Sequence, residues 1–383
     1  MAELKFLVLA DMHLGTLSVD RHFREIEKLI ERISWEHLDF GVICGDLFDY
    51  KNYASSEIFR LGVQFLFMLG MEPKTHWYII EGTSSHDAKQ TLTLQTIFDG
   101  VADMFDDTYT SRFHFYTKLS EANICGLKCL MIPEEYVVDQ DSYYKEAFSH
   151  YYDLIFGHGM TDMMYYAEKK KITAVPGAPV FKMSELTSIC NYCFFGHVHT
   201  HKVEGRFESV GPFTRWEFGS TSAGYDIATY DTEKETISVE YIENEYAPSM
   251  ETVSLSYEKD VTTDKIDKDL HRLIDYMTRE KLYKMRILLT LSDDVEGANG
   301  IRIYVTEFLD KYPNIMLVCK QGNKSPRYYE EDGTEIDESD IDPEISDMLN
   351  ANDDIIVQDY IERKHGEKVN QETIRAIIGY KEE

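Results

Sequence analysis

The sequence lacks any long apolar run: nothing in its 383 residues approaches the roughly 20 consecutive apolar residues that cross a bilayer. The stretch Phe6 to Ala10 ends at Asp11 and is too short for the apolar segment of a secretory signal, so it reads as a buried strand. Cysteine is sparse, with six residues at irregular spacing, which excludes a disulfide-stapled scaffold. With no secretory segment these thiols are expected to be reduced, in a cytoplasmic protein. Cys190 and Cys193, and likewise Cys125 and Cys129, read as small buried side chains rather than a redox or zinc pair. No internal repeat is present. Basic charge is also short, with 39 Lys and Arg against 69 Asp and Glu and a formal charge of −30. A broad basic field for polyanions is therefore excluded, and any nucleic-acid surface must be a local basic patch or rely on bound cations. The acidity is uneven: residues 330–383 hold 18 acidic and 5 basic residues.

The remainder has the composition of a folded chain, 43% hydrophobic and 28% charged, long enough for two domains and a small third piece. Up to about residue 240, short β-rich runs alternate with helical patterns, which predicts an α/β layer structure. Strands are expected at Lys5 to Ala10, Phe40 to Cys44, His76 to Ile80, Ile124 to Ile132, Leu154 to Phe156 and Tyr192 to Phe195. Phe23, Ile26, Leu29, Ile30 and Ile33 share one face of a helix over 21–33, and Ile58, Leu61, Phe65, Leu66 and Leu69 one face of a helix over 55–69. Both are packing helices; the second, apolar on more than one side, is also a candidate dimer surface.

After a β-rich stretch from Tyr225 to Ile242, strands at 252–257, 285–291 and 315–320 alternate with helices at 264–280 and 300–312, a small βαβαβ module. The expected domains are thus 1–245, 250–325, an acidic linker at 326–343 and a helical tail at 344–383. In the tail, apolar residues such as Ile356, Tyr360, Ile374 and Ile378 are too many for a free acidic segment and point to docking. A DNA-reading helix-turn-helix is the alternative for this tail, against which its acidity weighs.

Chemistry concentrates in five clusters that each follow a predicted strand: Asp11-Met12-His13, Gly45-Asp46-Leu47-Phe48-Asp49, Gly82-Thr83-Ser84-Ser85-His86-Asp87, Gly157-His158-Gly159 and Gly196-His197-Val198-His199. Strand ends are where α/β proteins place ligands and catalytic groups. Taken singly, a histidine here is a surface or core residue and an aspartate a turn former. Together they are not, since five of the 13 histidines fall in these clusters. Imidazole and carboxylate donors with few thiols favour Mn, Zn, Fe or Mg, and the set points to a two-metal hydrolase.

In this order the clusters resemble the calcineurin-like metallophosphoesterase superfamily, specifically its DNA repair nuclease branch of Mre11 and SbcD type, over residues 4–320. The resemblance rests on Asp-x-His-Leu-Gly, Gly-Asp-Leu-Phe-Asp and Gly-His-x-His, and on Gly211-Pro212-Phe213-Thr214-Arg215. Tyr50 and Lys51 after Asp49 depart from the protein phosphatase branch. The resemblance implies a two-sheet α/β sandwich flanked by helices, with a small α/β DNA-binding cap. It implies one metal held by Asp11, His13, Asp46 and His199 and a second by Asp46, Ser85, His158 and His197, with Asp46 bridging. It makes His86 a non-ligand facing the leaving oxygen, oriented by Asp49. Ser85 stands where the family carries Asn; a hydroxyl is a poorer ligand, so the second site is weaker, completed by water or filled by another group such as Ser84. The implied activity is a nuclease using two divalent ions, most simply Mn2+ with Mg2+ as alternative. It would cleave DNA phosphodiester bonds as an exonuclease, with endonuclease action also open. The implied partners are DNA, a second copy of the chain and a Rad50 or SbcC type ATPase, for which the tail is the candidate dock. A phosphodiesterase for small substrates, or a catalytically weak scaffold, remains the alternative. His201 reads as a surface residue, and the run Lys169 to Lys171 as a solvated loop with contact to a phosphate backbone as the alternative, the same two readings standing for Arg215, Lys320, Lys324 and Arg327.

Overall fold

The computed structural model describes residues 3–72, 74–87, 89–105, 112–162, 178–215, 218–220, 222–259, 261–292, 295, 297–320, 328–329 and 335–336. The run Lys169 to Lys171, Lys324, Arg327, most of the acidic linker and the whole helical tail lie outside these residues. The chain divides into two units, whose described residues fall within 1–254, 263–288 and 305–318 for the first and within 255–262, 289–304 and 319–336 for the second.

The first unit opens β1 (Glu3–Leu9), α1 (Val19–Ile33), β2 (Phe40–Cys44), α2 (Glu57–Leu69), β3 (His76–Ile80), α3 (Gln90–Phe105) and β4 (Phe113–Tyr116). It continues with β5 (Ser120–Ile124), β6 (Leu127–Ile132), α4 (Gln140–Tyr144), β7 (Tyr152–His158), β8 (Met160–Thr161), β9 (Val180–Phe181), a short helix Met183–Ser188, β10 (Cys190–Gly196), β11 (Lys202–Glu204), β12 (Phe207–Ser209), β13 (Gly224–Asp231) and β14 (Thr236–Glu243). Two six-stranded sheets result, ordered β14-β13-β1-β2-β3-β4 and β11-β12-β10-β7-β6-β5. In the first, β1 to β4 run parallel and β13 returns antiparallel to β1. In the second, β6, β7, β10 and β12 run parallel, with antiparallel edges at β5 and β11.

The period-2 alternation of a strand sorts β1 onto two faces. Leu4, Phe6, Val8 and Ala10 enter one core with Phe156 and Phe194 of the second sheet, while Leu7 and Leu9 join Ile26, Leu29, Phe65 and Leu66 of α1 and α2 in another. Leu130, Ile132, Ile155 and Phe195 face away from the first sheet and pack with Leu186 and Tyr144. The first unit is therefore a mixed α/β structure of two sheets whose inner faces share one core and whose outer faces are covered by helices. Phe6 stacks on Phe40 at 4.5 Å and meets Phe156 edge-on at 6.0 Å, which ties the sheets by aromatic contact.

The expected helices are found with small shifts; α2 starts two residues later than its apolar pattern because Ser56 caps it, accepting from the Phe59 amide at 3.1 Å. Its apolar side chains, Phe67 and Met68 included, pack on the sheet-facing core. The single strand expected over Ile124 to Ile132 is instead a hairpin. Cys125 (φ 52°) and Gly126 (φ 94°) form a two-residue turn that pairs Ile124 with Leu127. Cys125 is accordingly exposed, not buried, whereas Cys129, Cys190 and Cys193 are buried free thiols. The expected βαβαβ elements are present as β15 (Met250–Tyr257), helix Thr263–Arg279, β16 (Lys284–Leu291), helix Ala298–Leu309 and β17 (Ile315–Lys320), the strands forming one sheet in that order.

Candidate metal centre

The parallel strands deliver the clusters to one place. Asp11 follows β1, Asp46 follows β2, Thr83 follows β3, Glu134 follows β6, His158 ends β7 and His197 follows β10. Backbone hydrogen bonds lock the first two loops together, from the Asp11 amide to the Gly45 carbonyl at 3.2 Å and from the His13 amide to the Asp46 carbonyl at 3.0 Å. The two sheets are joined here as well. The His197 amide donates to both carboxylate oxygens of Asp11 at 3.0 Å, and His158 Nδ1 lies 2.8 Å from the Cys44 carbonyl.

Four of these residues hold left-handed backbone: Asp11 (φ 48°), His13 (φ 44°), Asp46 (φ 49°) and His197 (φ 89°). Such conformations are costly for side chains with a Cβ and persist where surrounding structure imposes them, as at functional sites. Gly45 (φ 77°) makes the turn into Asp46, and a Cβ there would lie 2.2 Å from His158 Nδ1.

Two triads of ligand-type groups converge, Asp11 with His13 and His199, and Asp46 with His158 and His197. Asp46 Oδ2 lies 3.3 Å from His158 Nε2 and 3.8 Å from His13 Nε2, so it stands between them. His13 Nε2 and His199 Nε2 face each other at 3.1 Å. That separation is short enough for both nitrogens to reach one ion with bonds of about 2.1 Å. The Cys44 carbonyl accepts from His158 Nδ1 and so turns its Nε2 toward Asp46, as an outer partner does for a metal-binding histidine. By donor chemistry and spacing these groups could hold a metal ion.

The electrostatics agree. Burial disfavours a charged His158, yet the carboxylates of Asp46, Asp11 and Glu134 outweigh it and push the ring up to about 10. Burial also raises the Asp46 carboxyl, but His158 and His13 pull it well below the usual carboxylate range. Burial and the nearby rings hold His199 well below the usual histidine range, which keeps a lone pair available. The pocket thus attracts positive charge, and protons and metal ions compete for the same atoms.

Ser85 is exposed, and among the described residues no hydrogen bond ties it or Ser84 to the cluster. Thr83 occupies the position instead: its Oγ1 lies 3.2 Å from Asp46 Oδ2 and 3.3 Å from both His158 Nε2 and His197 Nδ1. It also lies 3.0 Å from Glu134 Oε2, and that oxygen is 3.3 Å from His197 Nδ1. Thr83 and Glu134 are the two groups that motif reading missed. Thr83 was within reach, since it directly follows Gly82; Glu134 belongs to no motif.

Asp49 acts differently from the expectation. His86 Nδ1 bonds the Asp49 backbone carbonyl, while the Asp49 carboxylate faces His13 Nδ1 at 3.6 Å. His86 sits edge-on to His13 with ring centroids 5.0 Å apart, and His13, Asp46 and His86 also lie within reach of one ion. Asp87 supports the whole arrangement: its carboxylate accepts from the amides of Leu47 (3.2 Å), Phe48 (3.1 Å) and Gly82 (3.0 Å), holding the second and third loops in register. His22 of α1 does the same for the first loop, accepting through Nε2 from the amides of Gly15 (3.1 Å) and Leu17 (3.2 Å). Of the other residues read as surface, His201 is half-buried and contacts Glu208, and Arg215 pairs with Glu243.

No protein-family model matches the chain, and no curated protein matches it.

Proposed function

We propose that this chain is a metallophosphoesterase that cleaves DNA phosphodiester bonds with two divalent cations, most simply Mn2+. The observation that carries this reading is the paired triads with the Asp46 carboxylate between them. Asp11, His13, Asp46 and His199 would hold one ion, and Asp46, His158 and His197 the second, with Thr83 and Glu134 beside it. When bound, such a pair supplies Lewis-acid neutralisation of the phosphoryl oxygens and lowers the pKa of water toward neutrality.

The chain's own groups then have separable tasks. Asp87 and His22 hold the loops so that the donors converge without reorganisation. His86, its Nδ1 tied to the Asp49 carbonyl, passes the proton on its other ring nitrogen to the leaving oxygen as the ester bond breaks. The module spanning β15 to β17 is the candidate DNA-binding cap, and the partners proposed are a second copy of the chain and an SbcC type ATPase.

The experiment is an assay of linear duplex and single-stranded DNA with Mn2+, with Mg2+ and with chelator, repeated on His86→Ala. Metal-dependent cleavage that His86→Ala depresses supports the reading. Hydrolysis of a nitrophenyl diester without any cleavage of DNA would replace it by a small-substrate phosphodiesterase, and no hydrolysis with any metal by a binding scaffold.

A further inference from the structure

A second cluster of ligand-type groups lies apart from the Asp46 triads. His201, Glu208 and Asp226 bring one ring nitrogen and two carboxylates within reach of a single ion. They come from three elements: His201 from the loop that carries His197 and His199, Glu208 from β12 of the second sheet and Asp226 from β13 of the first. His201 Nε2 lies 3.0 Å from Glu208 Oε1 and 4.0 Å from Asp226 Oδ1.

The groups are held as a site would hold them. The Tyr241 ring stacks on His201 at 3.9 Å with the planes 8° apart, and the His201 amide donates to Ser222 Oγ at 2.9 Å. The Tyr192 hydroxyl donates to Glu208 Oε2 at 2.7 Å, which leaves Oε1 turned toward His201. Asp226 is the anomaly. It is 0% exposed, no amide, hydroxyl or cationic donor reaches its carboxylate oxygens, and its polar neighbours are the Glu208 carboxyl and the His201 ring. Two buried carboxyls side by side must share either a proton or a cation, and a cation between the three groups would satisfy both.

We propose that His201, Glu208 and Asp226 form an additional cation site, for a divalent ion that accepts one imidazole nitrogen and two carboxylates, with Zn2+ the best fit. Its role is structural: it clamps the strands of both sheets and the end of the loop bearing His197 and His199. Imidazole and carboxylate donors suit zinc. The site shares no residue with the Asp46 triads and stands whether or not those perform hydrolysis.

The test is zinc content of the full-length chain, stripped with chelator, reloaded with excess Zn2+ and desalted, with folding checked by circular dichroism. Wild type is compared with Asp226→Asn, with His201→Gln, and with Asp46→Asn as a control for the other centre. The proposal expects both Asp226→Asn and His201→Gln to bind one equivalent less than wild type and to lose a zinc-dependent rise in melting temperature. Asp46→Asn should keep that rise. If Asp226→Asn does not fold, His201→Gln decides, since it sits at the rim of the core. Equal zinc content in wild type and His201→Gln would overturn the site and leave Asp226 and Glu208 sharing a proton only.

Discussion

Thr83, not Ser85, is the hydroxyl that the second triad encloses, and the difference is testable. Thr83→Val should weaken Mn2+ binding roughly 10–100-fold, the range typical for loss of a group that supports a metal site, whereas the exposed Ser85→Ala should change it by less than about twofold. Manganese titration of each variant measures both. The motif was legible but its register was not: counting back from His86 reaches Ser85, and counting forward from Gly82 reaches Thr83. Nothing local to the sequence says which of the two hydroxyls the fold turns toward Asp46. The chain's backbone decides it, by donating from the Thr83 amide to Asp46 Oδ1 at 2.6 Å. Glu25 gives a second prediction at this scale. Burial, only partly offset by the neighbouring Thr214 hydroxyl, by Arg21 and by a hydrogen bond from Asn244, pushes this acid up to about 7 from 4.5. A raised pKa means the folded chain binds the proton more tightly, so the stability it contributes is present below pH 4.5 and lost as pH rises toward 7. Glu25→Gln should therefore gain on wild type with rising pH, on the order of 3 kcal/mol by pH 8, read from denaturant melts at pH 4.5 and 8.

At the scale of elements, the strands and packing helices were readable because each follows one hydrophobic period: β1 alternates between two cores, and α1 and α2 carry one apolar face toward the first sheet. The hairpin at 124–127 was not, because Cys125-Gly126 lacks the Asn-Gly or Asp-Gly signature and lies in an otherwise continuous apolar stretch. Glu134 escaped for a related reason: its place at the end of β6 becomes meaningful only once β6 is known to run parallel to β7. Two substitutions probe how elements make the site. Phe6→Ala removes the ring that joins the sheets and should cost about 3–5 kcal/mol in denaturant unfolding, without touching a ligand. Gly45→Ala, by contrast, drives a methyl into His158 Nδ1 at a left-handed position and should abolish binding at the second triad even where the fold survives. Metal content of the folded variant separates the two effects.

For the whole molecule, a net charge of −30 means that the DNA contact proposed above would depend on few basic groups and on any cations held at the centre. Binding to duplex DNA should fall steeply with added salt, with a slope near about −0.9 per phosphate contacted. The acidic tail is a separate matter. If it is a docking arm, removal of residues 344–383 abolishes association with an SbcC type ATPase and leaves metal-dependent cleavage intact, and unchanged association would refute that role. The account as a whole stands on the Asp46 carboxylate serving two ions at once. Its most direct test is cleavage of linear duplex DNA at low salt with Mn2+ by wild type and Asp46→Asn side by side. The account predicts cleavage by wild type that chelator stops, and background rates for Asp46→Asn. Equal cleavage by both proteins, or intact DNA with manganese-loaded wild type, would contradict it.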